Sequence, residues 1–216
     1  MATPHGPAGA WLDPPTDGRP PRATVMLLHG AGSGSDVPVL VDLAAGLAAA
    51  GFLALRLEQA HRVAGRRAPP PAVQLDAVVL AAVAALRAPG LPLLLVGRST
   101  GARVACRVAA SVGAVAVCAL GYPLTTPRGA SRAAELAGAG VPVLVVQGSR
   151  DGFGTPDELD ALGLPGVTVH GISGADHAYV TRRRDGRPPG DALQEVVQVV
   201  TRWLVQVLDG LGRQPW

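Results

Sequence analysis

Residues Pro92–Ser111 read PLLLVGRSTGARVACRVAAS, and this stretch decides the fold. Its first five residues are apolar without alternation, as in a strand buried on both faces of a parallel sheet. Its second half is Ala- and Val-rich with arginines at Arg103 and Arg107, as in a helix. Between them lies Gly97-Arg98-Ser99-Thr100-Gly101, a G-x-S-x-G in the strand–turn–helix setting of a nucleophile elbow. The two glycines have a physical reason: a serine on a turn that tight leaves no room for a Cβ two residues to either side. The helix beginning at Thr100 then directs its positive end toward the hydroxyl.

Outward from the elbow, short apolar runs recur at Ala23–His29, Phe52–Leu57, Ala114–Leu120, Val141–Gln147 and Val167–Ile172. Helical segments are predicted over Pro38–Ala50, Pro71–Arg87, Thr100–Ser111, Arg132–Ala139, Pro156–Leu162 and Asp191–Leu211. Pro38, Pro71 and Pro156 suit first helical turns, where a missing N–H is harmless. Gly51 and Gly113 suit the left-handed residue that follows a helix. The strand–helix alternation predicts a doubly wound, mostly parallel α/β sheet with helices on both faces, and a nucleophile elbow set in it points to the α/β-hydrolase fold. Right-handed crossovers gather the strand C-terminal ends on one edge, where ligands bind. Ala60–Pro71 and Gly121–Gly129 read as loops, neither long enough for more than a minimal lid. Residues 1–20 are expected to form an irregular or edge-strand segment of a single domain spanning 1–216.

Bulk properties narrow the function. The chain has 216 residues, 48% of them hydrophobic, enough for one core of good size. All 19 basic residues are arginine and the net charge is only +3, with arginines scattered apart from Arg66-Arg67 and Arg182–Arg184. A nucleic-acid partner is therefore not expected. No apolar stretch is long enough for a membrane span, and residues 1–15 lack the apolar core of a signal peptide, so a cytoplasmic location is expected. Cys106 and Cys118 sit within apolar runs and read as reduced core thiols. Nothing in the spacing of Cys, His, Asp and Glu implies a metal or another cofactor.

A second glycine-rich loop, Leu27-Leu28-His29-Gly30-Ala31-Gly32-Ser33-Gly34, follows the first clear strand. In this fold that loop supplies one oxyanion donor, and the residue after the nucleophile supplies the other. The N–H groups of Ala31 and Thr100 are the candidates, with Gly32 as a neighbouring substrate contact. A dinucleotide loop is the competing reading. The glycine spacing is wrong for it, and Glu58 is the nearest acidic residue beyond the next strand. His29 precedes the serine and reads as a residue that orders the loop.

The order in this fold is Ser, then Asp or Glu, then His. Of the two histidines after Ser99, His170 lies inside a strand run and reads as structural. His177 lies in Gly174-Ala175-Asp176-His177-Ala178 at a strand end and is the candidate base. Asp151, in Gly148-Ser149-Arg150-Asp151-Gly152, is the candidate acid. Asp157, Glu158 and Asp160 fall on a helix as solvated groups, and Asp176 is better placed to pin the loop of its neighbour. Arg98 and Tyr122 are further candidate substrate contacts, although Arg98, Arg66 and Arg67 equally suit loop bracing.

These segments resemble the dienelactone-hydrolase-like branch of the α/β-hydrolases. More closely, they resemble small bacterial α/β-family hydrolases, whose core is shared with an animal histone-acetyltransferase-complex subunit and a testis-expressed protein. The carrying stretches are Leu27–Gly34, Gly65–Pro71, Val96–Arg103, Leu120–Leu124, Val143–Leu159 and Gly174–Tyr179. The resemblance implies that Ser99, Asp151 and His177 occupy the catalytic positions. The chain departs from the group at Leu57–Ala60, where an aromatic–proline segment is usual, and at Thr125, where a histidine often stands. Both departures fall on the expected pocket wall. True dienelactone hydrolases carry a cysteine at the elbow, and Ser99 argues against that activity. The expected function is hydrolysis of small carboxylic esters or thioesters, with a small-molecule acyl substrate and no cofactor. The alternative is a non-catalytic interaction module with the same fold.

Overall fold

The computed structural model describes residues 1–211 apart from 127, 183, 185 and 189, so Arg183 and residues 212–216 lie outside the described residues. Seven strands form one sheet in the order β1-β3-β2-β4-β5-β6-β7. The strands are β1 (Gly9–Asp13), β2 (Thr24–Leu28), β3 (Leu53–Glu58), β4 (Leu93–Arg98), β5 (Ala114–Leu120), β6 (Val143–Gly148) and β7 (Val167–Ile172). All neighbours pair in parallel except β1, which runs antiparallel along β3. The N-terminal segment thus supplies an edge strand, with Trp11 and Leu12 about half exposed. The architecture is the predicted α/β-hydrolase fold.

The unalternating strand runs are explained by burial on both faces. Val25 and Leu27 of β2, with Leu94 and Val96 of β4, face α1 (Pro38–Ala49) and α7 (Asp191–Leu211). Met26 and Leu28, with Leu93 and Leu95, face α3 (Ala72–Leu86) and α4 (Thr100–Val108) on the other side. The short α5 (Ala133–Ala137) joins that second layer through Leu136. Each such side chain removed from water contributes about 1.5–3 kcal/mol, so neither layer is dispensable. Arg107 of α4 links this layer laterally, gripping the Asp76 carboxylate of α3 at 2.6 and 2.9 Å and reaching Glu135 of α5 at 3.3 Å.

Local signals behave as expected at most boundaries. Pro38 and Pro156 stand in the first turns of α1 and α6 (Pro156–Asp160), and Gly51 and Gly113 take positive φ. Pro71 instead stands just outside α3, as its N-cap. One expectation is corrected: within the predicted loop Ala60–Pro71, residues Ala60–Val63 form a helical turn, α2. Both thiols are buried, and desolvation raises them, Cys106 to about 12. Among the described residues no helix is long and apolar enough to cross a membrane.

Candidate active site

The elbow begins where β4 runs out. Ser99 has φ 53° and ψ −114°, a conformation costly for a non-glycine residue, about 1–3 kcal/mol. It is held by its N–H donating to the Leu120 carbonyl at 2.8 Å and by tight backbone packing on either side. A Cβ on Gly97 would stand 2.2 Å from the Gly101 carbonyl oxygen. One on Gly101 would stand 2.4 Å from that of Leu28. The glycines of G-x-S-x-G are therefore required by close approach of backbone to backbone.

Ser99 Oγ lies 3.0 Å from His177 Nε2, and His177 Nδ1 donates to Asp151 Oδ2 at 2.7 Å. The three side chains come from three different strand ends and meet in the order the sequence implies. Asp151 is almost fully buried, and its carboxylate also accepts from Gln147 Nε2 and from the Phe153 N–H, both at 2.9 Å. With three donors converging, the carboxylate fixes the His177 ring with Nδ1 protonated and Nε2 free to accept a proton.

The loop that carries His177 is pinned at several points. Asp176 accepts from the N–H groups of Ala178 and Val180, at 2.8 and 3.0 Å, which is the pinning role expected of it. Tyr179, at φ 61°, drops its ring into the core and donates to the Val146 carbonyl at 2.7 Å. A Cβ on Gly148 would lie 2.5 Å from the carbonyl oxygens of Ala175 and Asp176, so β6 and this loop touch backbone to backbone. His170 lies away from the group, 3.1 Å from Glu195 of α7, as a structural histidine.

The glycine-rich loop after β2 lies against the elbow, with Gly30 close enough that a Cβ there would reach within 3.4 Å of Ser99 Cβ. His29 orders this loop. Its Nδ1 donates to the Gly30 carbonyl at 2.7 Å and its Nε2 accepts from the Gln59 N–H at 3.1 Å. Glu58 fastens the far end, accepting from the N–H and the hydroxyl of Ser35 at 2.8 Å each. Thr100 is the first residue of α4, where an N–H has no carbonyl partner within the helix. Ala31 is half-buried in the facing loop and Gly32 is exposed.

Arg98 is half-buried, its guanidinium against Gly30, and among the described residues no carboxylate pairs with it. Tyr122 needs correction as a substrate contact. Its ring is fully buried in the core and its hydroxyl donates to the Arg132 carbonyl at 2.9 Å. Two contributors escaped the sequence reading. Gln147 is fully buried at the end of β6, and its amide ties Asp151 to both the N–H and the carbonyl of Tyr122. The Phe153 ring meets the His177 ring edge-on, with 4.8 Å between centroids. Among the described residues, no three of His, Cys, Asp and Glu converge as metal ligands would.

Comparisons with known proteins agree with the fold. Residues 21–205 match the family described as "Alpha/beta hydrolase domain". Among solved structures, an alpha-beta serine hydrolase homologue from Coxiella burnetii superposes with a TM-score of 0.76 at 19% identity, covering 94% of this chain and 95% of the other. A lidless a/b serine hydrolase from Xanthomonas campestris gives 0.70 at 24% identity, covering 93% and 91%. The dienelactone hydrolase of Anabaena variabilis gives 0.67 at 21% identity, covering 92% and 91%. Among curated protein sequences, none matches.

Proposed function

Because the chain belongs to the alpha/beta hydrolase domain family, we propose that it is a serine hydrolase cleaving short carboxylic esters or thioesters through an acyl-enzyme. The observation that carries this reading is the unbroken path from Ser99 Oγ through His177 to Asp151, with contacts of 3.0 and 2.7 Å. A scaffold has no physical need for a strained serine, a tautomer-fixed imidazole and a buried carboxylate in line.

In this reading His177 Nε2 takes the Ser99 proton as Oγ attacks the acyl carbon. Asp151 stays ionised and stabilises the imidazolium. The N–H groups of Ala31 and Thr100 receive the oxyanion, and each such donor contributes about two to three orders of magnitude to turnover. His177 then protonates the leaving alcohol or thiol. It next removes a proton from the water that attacks the acyl-enzyme, and Ser99 recovers its proton as the acid departs. The substrate is a small acyl molecule, and the Arg98 guanidinium beside Gly30, which no carboxylate pairs with among the described residues, favours polar acyl esters.

The test is labelling with a fluorophosphonate, together with hydrolysis of short p-nitrophenyl esters, in wild type and Ser99→Ala. Labelling and turnover are expected in the wild type and neither in the variant. A wild type that does neither is the result that favours the non-catalytic interaction module.

A further inference from the structure

The chain has two phenylalanines, and they stand in opposite settings. Phe52 is fully buried in the core, whereas Phe153 is 39% exposed in the loop that follows Asp151. The Phe153 ring is also the one that meets His177, with 4.8 Å between ring centroids. A phenyl left this far in water adds little to stability, because burial is what makes such a ring stabilising. Its main chain is nevertheless fixed on both sides. The Phe153 N–H donates to Asp151 Oδ1 at 2.9 Å, and its carbonyl accepts from the Thr125 N–H at 3.1 Å. The next residue, Gly154, packs so closely on Leu124 that a Cβ there would lie 2.8 Å from the Leu124 Cβ. The loop after β6 is thus stitched to the loop after β5, and the ring is held at the surface beside the base.

Shielding the histidine–aspartate pair does not explain this placement. The Asp151 side chain is already fully buried, with Gln147 Nε2 and the Phe153 N–H on its oxygens. A ring that served only to cover it would itself be buried. Nor does the imidazole need the ring to fix its orientation, since Nδ1 is held by Asp151 and Nε2 faces Ser99. What the exposed phenyl offers is an apolar surface at the edge of the base.

The proposed reaction says which part of a substrate meets that surface. As Ser99 Oγ bonds to the acyl carbon, the bond from that carbon to the leaving oxygen or sulfur breaks. His177 Nε2 then passes the proton taken from Ser99 to the leaving atom, which must lie within about 3 Å of it. A substituent one or two atoms beyond the leaving atom therefore extends along the imidazole, within van der Waals reach of a ring centred 4.8 Å from it. An apolar or aromatic substituent gains contact there. A polar one gives up water and finds no hydrogen-bond partner on the phenyl. We propose that Phe153 is a leaving-group platform, a specificity-determining residue that selects esters and thioesters of apolar alcohols or thiols, benzylic ones above all. This inference rests on the serine-hydrolase reading and adds the class of leaving group.

The experiment compares kcat/KM for benzyl acetate and 2-methoxyethyl acetate, whose alcohols are of similar acidity and whose acyl-enzyme is the same, by titrating the acetic acid released. Each rate is normalised to alkaline hydrolysis of the same ester. The wild type is expected to favour the benzyl ester by about tenfold, the size of one aromatic contact. Phe153→Ala is expected to bring the ratio close to one, and Phe153→Leu to leave it in between. An unselective wild type overturns the platform. So does a ratio that survives Phe153→Ala, even if both rates fall, since the ring would then act only on His177. A wild type that takes a fluorophosphonate but hydrolyses neither ester overturns the platform and leaves the serine-hydrolase reading standing. One that does neither defeats that reading, and the platform with it.

Discussion

Asp151→Asn is the most informative single change, because the geometry dictates how it fails. The Asp151 carboxylate accepts three donors: His177 Nδ1 and Gln147 Nε2 at Oδ2, and the Phe153 N–H at Oδ1. An asparagine has one acceptor oxygen and one NH2. With its oxygen toward His177, the NH2 confronts the Phe153 N–H; the loop loses a bond and the imidazolium loses its counter-charge. With its NH2 toward His177, it confronts the Gln147 amide and forces the proton from Nδ1 to Nε2, where the ring can no longer accept from Ser99. The first arrangement costs about 1–3 kcal/mol for a buried unsatisfied donor. The second removes general-base function, and wrong-tautomer variants of such a set lose about 10⁴ in kcat. The expected result on a short p-nitrophenyl ester is therefore a fall of about 10³–10⁴ in kcat, with a midpoint shift in urea of no more than about 3 kcal/mol equivalent. A fall of less than tenfold in a folded variant would refute the reasoning, since His177 would then be oriented by something else.

Two other predictions concern the frame around the site. Gly101→Ala places a Cβ 2.4 Å from the Leu28 carbonyl oxygen, so β2 and α4 must separate; a loss of at least about 3 kcal/mol in urea melts is expected. Burial holds His29 and His61 below the usual imidazole value of 6.5, so below that pH the unfolded chain binds more protons than the folded one. Stability is then flat in this respect above about pH 6.5 and falls as the pH drops beneath it, by up to about 1.4 kcal/mol per pH unit for each imidazole. Urea melts between pH 7.5 and 5 check this, and His61→Phe is expected to flatten the slope.

The elbow was legible because its requirements are local: a double-sided apolar run, two glycines and a helix start leave few alternatives. Asp151 and His177 were legible because each follows a strand run and the chain order allowed few choices. Gln147 was not, because it closes an apolar run and hydrophobic pattern gives no weight to one polar residue at a strand end. Only its complete burial, with every amide valence engaged, exposes its role. Tyr122 was misread for a related reason. Strand alternation stops at Leu120, and Gly121 at φ 53° turns the chain, so parity cannot say where the next ring points. The single turn α2 is shorter than any helical periodicity can register, and Pro and Gly around it outweighed its four residues.

The backbone contact between Gly148 and the carbonyls of Ala175 and Asp176 has a mechanical meaning. It fuses the mounts of Asp151 and His177 into one block, while Gly97 and Gly101 fuse the mount of Ser99 into another. The two blocks are joined across β5 by hydrogen bonds that prolong the sheet: Ser99 N–H to Leu120 at 2.8 Å and Gly121 N–H to Val146 at 2.9 Å. Small displacements therefore gather at the serine–histidine gap and leave the histidine–aspartate pair intact. Backbone contact thus sets where the three mounts stand, while the Gln147, Asp176 and Tyr179 side chains hold the loops they carry.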